Sequence, residues 1–350
     1  MRLLFTMILS FAGVLSAFSQ TLGDFKPKDH SGGLRKIKSK RLYVASFTVN
    51  YQVFNEKEEF KQGGRMFGGG GSKGDAKAEL SVGLEGLTEA GVQGVTDKLY
   101  QDFTAMLKAN GIELITPEEA GKTDTYDGFV KLTGGTISEA QFPGMLATVP
   151  TGMEYYVKKI DKSGKEKSGG LFGNANFVHA KLSKDLDDAI VADVDLFVLF
   201  IEDKSSWDVA GANIKVKTNM RLAGQESIEM TKKAKIKFKG ENTQTPVNSQ
   251  VGFYSGKMGA GIVSSYTGSL GKSMPVSGVI EDQKIQAFAK NKVDMVGVST
   301  IYGKYYNPAD NSSSSTTIIP VDDKKYAEGA YLAGKKFIEY HTEAFLKEIK

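Results

Sequence analysis

Cysteine is absent from all 350 residues. That absence excludes disulfide support, thiolate catalysis, cysteine-ligated zinc and the lipid-bearing cysteine of a bacterial lipoprotein, so the fold is expected to rest on its apolar core. Histidine is scarce, with only three copies, which limits imidazole bases to His30, His179 and His341. No Gly-x-Ser-x-Gly and no His-Glu-x-x-His occurs, removing the common hydrolase and metalloprotease signatures. Gly268-Ser-Leu-Gly-Lys-Ser273 fails as a phosphate loop because Tyr266 stands where its first glycine is required, and Gly69 to Gly74 with Lys73 fails similarly. No cofactor is expected. Proline is sparse at 8 copies against 40 glycines, a balance that points to many turns and strands. The net charge of +4 is too mild to indicate a nucleic-acid partner.

Long apolar runs are also missing after the first residues. Arg2 precedes an apolar stretch from Leu3 to Ala17, and Ala17-Phe18-Ser19 supplies small residues for cleavage before Gln20. This order is that of a secretory signal peptide, and the stretch is shorter than the roughly 20 residues needed to cross a bilayer. The expected organisation is a signal peptide over 1–19, an exposed lead-in over 20–40 with order beginning at Arg41, an α/β domain over 41–204, and a β-rich extension over 205–350. The last two segments are either separate or continuous.

Periodicity supplies the elements. Tyr43, Ala45, Phe47, Val49, Tyr51 and Val53 alternate with polar neighbours, as do Ala76, Ala78, Leu80, Val82 and Leu84, and both segments predict strands. Gly68 to Gly71 reads as a loop. Leu87, Val92, Val95, Leu99, Phe103, Met106 and Leu107 predict a helix ended by Asn110-Gly111. Ile112 to Ile115 is a short strand, and Thr116-Pro-Glu-Glu119 has the cap, proline and acids of a second helix start. Val194 to Ile201 is apolar enough for a strand buried on both faces. Glu241 to Ser277 is weakly patterned, Met295 to Tyr305 reads as a strand, Asn307 to Thr317 as a polar loop, and Asp323 to Ile349 as a C-terminal helix. The fold class expected is α/β or α+β: a mixed sheet with flanking helices, an N-terminal β-α-β-α unit, an additional antiparallel hairpin and a C-terminal helix.

The hairpin is assigned to Asn213–Leu222 and Ile228–Phe238, joined through Ala223-Gly224-Gln225. Its apolar positions Ile214, Val216, Met220 and Leu222 leave Lys215, Lys217, Arg221, Lys233, Lys235, Lys237 and Lys239 for the outer face. Pairing Ile214 with Ile236 would set Lys215 opposite Lys235 and Lys217 opposite Lys233, an arrangement that suits either a solvated edge or an anionic partner. The partners implied are an anionic envelope component or an acidic protein, with self-association left open. Asp185, Asp187, Asp188, Asp193 and Asp195 lack the glycine and distal glutamate of a calcium loop and read as a solvated face. Paired carboxylates could still serve glycoside cleavage if the fold spaced two of them suitably. His341, on the apolar stripe of the last helix, reads as a packed core histidine.

Gly94-Val-Thr-Asp-Lys-Leu-Tyr-Gln-Asp-Phe-Thr-Ala-Met-Leu-Lys-Ala-Asn-Gly-Ile-Glu-Leu-Ile115, with the strand before it and the buried strand and hairpin after it, resembles the α/β domain of the curli-secretion channel protein and the N-terminal domain of the translocation protein TolB. The resemblance covers about half of the chain after cleavage, and its signal-peptide end, Ser-Gln, is similar to those of Bacteroidota. It implies a non-enzymatic envelope role in assembly, scaffolding or transport. The chain departs from the channel family in lacking the lipid-bearing cysteine and in carrying long insertions. The function expected is an exported envelope protein that binds, scaffolds or assists assembly. The alternatives are a pore-forming or membrane-associated subunit built from amphipathic strands, and a carboxylate-dependent hydrolase of envelope polysaccharide.

Overall fold

The computed structural model describes residues 20–61, 76–167, 175–203, 213–231, 242–259, 261–288 and 316–349. The expected signal peptide, the Gly68–Gly71 run, the expected strand at Met295–Tyr305, most of the loop at Asn307–Thr317, and Lys233, Lys235, Lys237 and Lys239 lie outside these residues.

The fold is organised by Ile190–Asp203, a strand of 14 residues. Its run of apolar residues from Leu196 to Ile201 is buried, as a strand covered on both faces requires. One edge pairs in parallel with Arg41–Gln52, from Ile190 opposite Leu42 to Val198 opposite Tyr51. The other edge is shared by two strands, Gln250–Met258 along residues 191–195 and Asn213–Leu222 along 198–203, both antiparallel. Ser249 marks the join, accepting from the Phe197 amide through its hydroxyl. Outward from Gln250–Met258 the sheet continues through Gly261–Leu270 to Pro27–Gly32, reaching 11 strands among the described residues. A smaller sheet places Ala76–Glu85 between Thr316–Pro320 and Phe54–Lys61.

Helices α1 (Glu89–Ala109), α2 (Pro117–Ala120), α3 (Ala175–Asp185) and α4 (Asp323–Glu348) flank the sheets. Thr88 caps α1 by accepting from the Gly91 amide, and the helix ends at Gly111, which takes φ 75°. Thr116 caps α2 with Pro117 in the first turn. Helices α1 and α4 pack on one face of the large sheet, where Phe103 meets Phe47 and Phe253 while Phe345 stacks on Phe253 at 4.0 Å. Their approach is close at Gly334, where a Cβ would lie 2.8 Å from Leu99 Cδ1. Helix α3 covers one end of the opposite face, with Leu182 and Leu186 against Tyr43 and Val191. Among the described residues no helix is long and apolar enough to cross a membrane.

The expected strand–helix–strand–helix order is present, but sheet dominates the molecule and the parallel partner Glu113–Leu114 is only two residues long. Order begins before Arg41: Thr21–Leu22 pairs with Met274–Ser277, and Pro27–Gly32 forms a sheet edge with mostly exposed side chains. The weakly patterned stretch from Glu241 to Ser277 contains four strands. In Gly261–Leu270 the buried face alternates Ser264 and Gly268 with Tyr266 and Leu270, so hydrophobic periodicity registers only half of it.

The hairpin assignment is corrected. Asn213–Leu222 is paired on both edges, by Ile190–Asp203 on one and by Met274–Ser277 with Lys284–Phe288 on the other. Ile214 stands opposite Ala287. The hairpin that does follow pairs Glu226–Thr231 with Asn242–Val247. Both readings share the same buried face, since Ile214, Val216, Met220 and Leu222 are all in the core.

Candidate functional site

Because side chains alternate across a strand, every second residue of the central strands faces away from α1 and α4. On Arg41–Gln52 these are Ser46, Thr48 and Asn50, which stand opposite Asp193, Asp195 and Phe197. On the other side Asp193 stands opposite Gly252 and Asp195 opposite Gln250, and the next strand adds Thr267 and Ser269. The result is a polar floor across four neighbouring strands. Ser46, Thr48, Asp193, Asp195, Gln250 and Thr267 are each only partly buried. Apolar clusters close both ends: Leu182, Leu186 and Tyr126 at one, and Phe197, Leu199 and Ile228 at the other.

At the middle of this floor the polar groups are poorly matched to one another. Asn50 is fully buried; its Nδ2 donates to Asp195 Oδ1 at 2.7 Å and to the Leu196 carbonyl at 3.1 Å. Its own Oδ1 is buried without a hydrogen-bond partner, as are Asp193 Oδ1 and His179 Nδ1. His179, brought in by α3, is 6% exposed and holds Nδ1 at 3.9 Å from Asp193 Oδ2, beyond hydrogen-bond reach. Its ring lies over Tyr254, with centroids 5.0 Å apart. Gly252 makes room for this arrangement, because a Cβ there would fall 2.1 Å from Asp193 Oδ1 and 2.3 Å from the Tyr254 hydroxyl.

Burial sets the protonation of the cluster. It pushes Asp195 up to about 8, the nearby Asp193 adding to the rise and the Asn50 hydrogen bond opposing it. Burial also raises Asp193, against the opposing influence of His179, and lowers His179, against that of Asp193. The reading of Asp193 and Asp195 as a solvated face is therefore corrected: both line the floor, and Asp193 retains only 19% of its side-chain exposure. The other acids do face solvent, where Asp185 accepts from Thr125 and Asp188 pairs with Lys184.

The basic positions are placed differently from their expected row. Arg221 is buried and grips Glu226 with two hydrogen bonds, Nε to Oε1 at 2.9 Å and Nη2 to Oε2 at 2.7 Å. Its remaining donors reach Asn219 and the Ile201 carbonyl. This network lines a cleft of about 970 Å³ that also holds Lys217, Lys272 and Asp282. Lys217 forms an ion pair with Asp282 and stands opposite Lys284, while Lys215 stands opposite Gln286. Lys217 and Arg221 are thus already matched to carboxylates of the same chain.

Of the histidines, His30 is exposed on the edge strand opposite Thr267. His341 is fully buried: Nε2 donates to the Ser269 carbonyl at 3.1 Å, which leaves Nδ1 to accept from the Tyr266 hydroxyl at 2.9 Å. It is a satisfied core residue. Among the described residues no group of three or more His, Cys, Asp or Glu is placed to hold a metal ion.

No protein-family model matches this chain, and neither the curated proteins nor the solved structures searched contain a match.

Residue patterning contained a trace of the site. Ser46, Thr48 and Asn50 recur at the spacing of one strand face, as do Asp193 and Asp195. Nothing in the sequence joined those two strands, and Gly252 and Tyr254 carry no signal of their own.

Proposed function

We propose that this chain is an exported, non-enzymatic binding protein of the cell envelope that takes its ligand on the polar floor. The observation that carries the reading is the set of buried, unpartnered polar atoms on Asn50, Asp193 and His179 within one partly open face. Leaving such groups unpaired costs roughly 1–3 kcal/mol each, and a protein tolerates that where something else completes them. The leader pattern and the resemblance to envelope proteins support the compartment.

Glycoside hydrolysis is a second reading, favoured by the two carboxylates one strand repeat apart, about 7 Å by strand rise. Inverting glycosidases use comparable separations but place acid and base on opposite sides of the sugar. Asp193 and Asp195 leave the same face of the same strand, so both approach a ligand from below, which favours binding over cleavage. The pore reading needs free amphipathic strands, whereas Arg41–Gln52 and Ala76–Glu85 are each paired on both edges.

The test is an amide-shift titration of the chain from Gln20 onward with the small-molecule fraction of envelope extract. Shifts concentrated at residues 46–50, 193–195 and 250–254 are expected. Absence of shifts there, or release of reducing sugar from envelope polysaccharide that Asp195→Asn abolishes, would overturn the reading.

A further inference from the structure

The chemistry of the floor specifies what it can take. Once Asp193 and Asp195 are ionised, the centre of the floor offers acceptors: their carboxylate oxygens and the buried Oδ1 of Asn50. Asn50 Nδ2 is already committed to Asp195 and to Leu196, and the Gln250 amide to the Tyr254 hydroxyl. A neutral hydroxyl ligand would bring no charge to answer the two carboxylates. An anion would meet two carboxylates. A multivalent metal lacks its ligand cluster among the described residues. An ammonium group brings three donors, no acceptor and one positive charge, which answers both the hydrogen-bond deficit and the charge.

We propose that the polar floor binds an organic ammonium cation, with Asp193 and Asp195 supplying the charge and the buried oxygen of Asn50 a further acceptor. This rests on the floor being a ligand site. Two carboxylates one strand repeat apart, about 7 Å, suit a ligand with two amino groups on a short aliphatic chain. Burial that raises both acids is offset when a cation sits between them, so the bound state holds them ionised.

The experiment is calorimetric and thermal-shift titration of the chain from Gln20 onward with putrescine. Butane-1,4-diol serves as the uncharged shape control and potassium chloride as the ionic-strength control. Putrescine is expected to bind and to raise the melting temperature, and neither control should. Asp193→Asn and Asp195→Asn should each weaken putrescine at least tenfold with the circular dichroism spectrum unchanged. Thr48→Lys places a resident ammonium beside Asp195, its register partner, and should abolish putrescine binding even if either asparagine variant fails to fold. Competition by N-acetyl-lysine amide as strong as that of putrescine would assign the ammonium to a protein side chain, and weak competition would assign it to a free amine; both outcomes support the proposal. An equal response to potassium chloride, or putrescine binding untouched by all three variants, would overturn it. If putrescine is silent while envelope small molecules still shift residues 46–50 and 193–195, the ammonium assignment falls and the binding face stands. If both are silent, both fall.

Discussion

The Asn50 side chain donates to Asp195 at 2.7 Å yet leaves its own oxygen buried and unmet. A single donor from a neutral amide is weak compensation for a carboxylate that burial lifts to about 8. The folded chain therefore holds the Asp195 proton more tightly than the unfolded chain, whose aspartate titrates near its ordinary 3.8. Stability from this group is fully present below pH 3.8 and is lost as pH rises through 8. Asp195→Asn keeps the shape and removes the titration, so it is expected to stabilise the ligand-free protein at pH 8 by about 1–3 kcal/mol. Urea unfolding at pH 5 and pH 8 checks this, and an equal effect at both values would refute it.

His341 gives the opposite slope. Burial lowers it to about 4, against pulls upward from the Ser269 carbonyl and Asp29. Its folded value lies below the unfolded 6.5, so the unfolded chain takes up a proton first and stability falls as pH drops from 6.5 towards 4. His179 is lowered as well and contributes in the same sense. His341→Gln can still donate and accept but does not titrate, so the loss of stability between pH 6.5 and 4 should shrink, leaving the slopes set by His179 and, in the opposite sense, by Asp195. Denaturant midpoints across that range measure it.

Leu99 and Phe103 sit at the centre of the α1 contact with the sheet and with α4, at 1% and 0% exposure. Leu99→Ala should cost about 2–5 kcal/mol and Phe103→Ala about 3–5 kcal/mol. Unchanged melting temperatures for both would contradict the packing of α1 against Phe47 and Phe253.

Arg221 and Lys217 were read from the sequence as members of one basic row, but their removal should differ sharply. Arg221→Ala strands Glu226 in a buried network and should cost about 3–5 kcal/mol. Lys217→Gln breaks a more exposed pair with Asp282 and should change stability by less than about 1 kcal/mol. Chemical denaturation of the two variants side by side separates a structural arginine from a surface lysine.

The long helices were legible because their stripes repeat at helical spacing, and the short second helix from its cap, where Thr116 accepts from the Glu119 amide. The central strand was legible from its apolar run. The strands between residues 250 and 277 were not, because their buried face includes Gly268, where a Cβ would lie 2.2 Å from His341 Nδ1, a requirement set by a helix more than 70 residues away. The false hairpin had the same origin. Its alternation was genuine, but alternation fixes which face is buried and not which strand lies alongside. The site was harder still, since Asp193 and Asp195 look like any exposed pair until Asn50, Tyr254 and Gly252 are brought in from distant segments.

The central strand joins partners that are far apart in the chain: Arg41–Gln52 comes about 150 residues before it, while Pro27–Gly32 must wait for Gly261–Leu270 and Thr21–Leu22 for Met274–Ser277. Pairing of this kind is slow, because long loops must close before the contacts that reward closure can form. During synthesis the first strand made has no neighbour to dock against until almost the whole polypeptide exists. The lead-in strands are thus the first made and among the last able to pair.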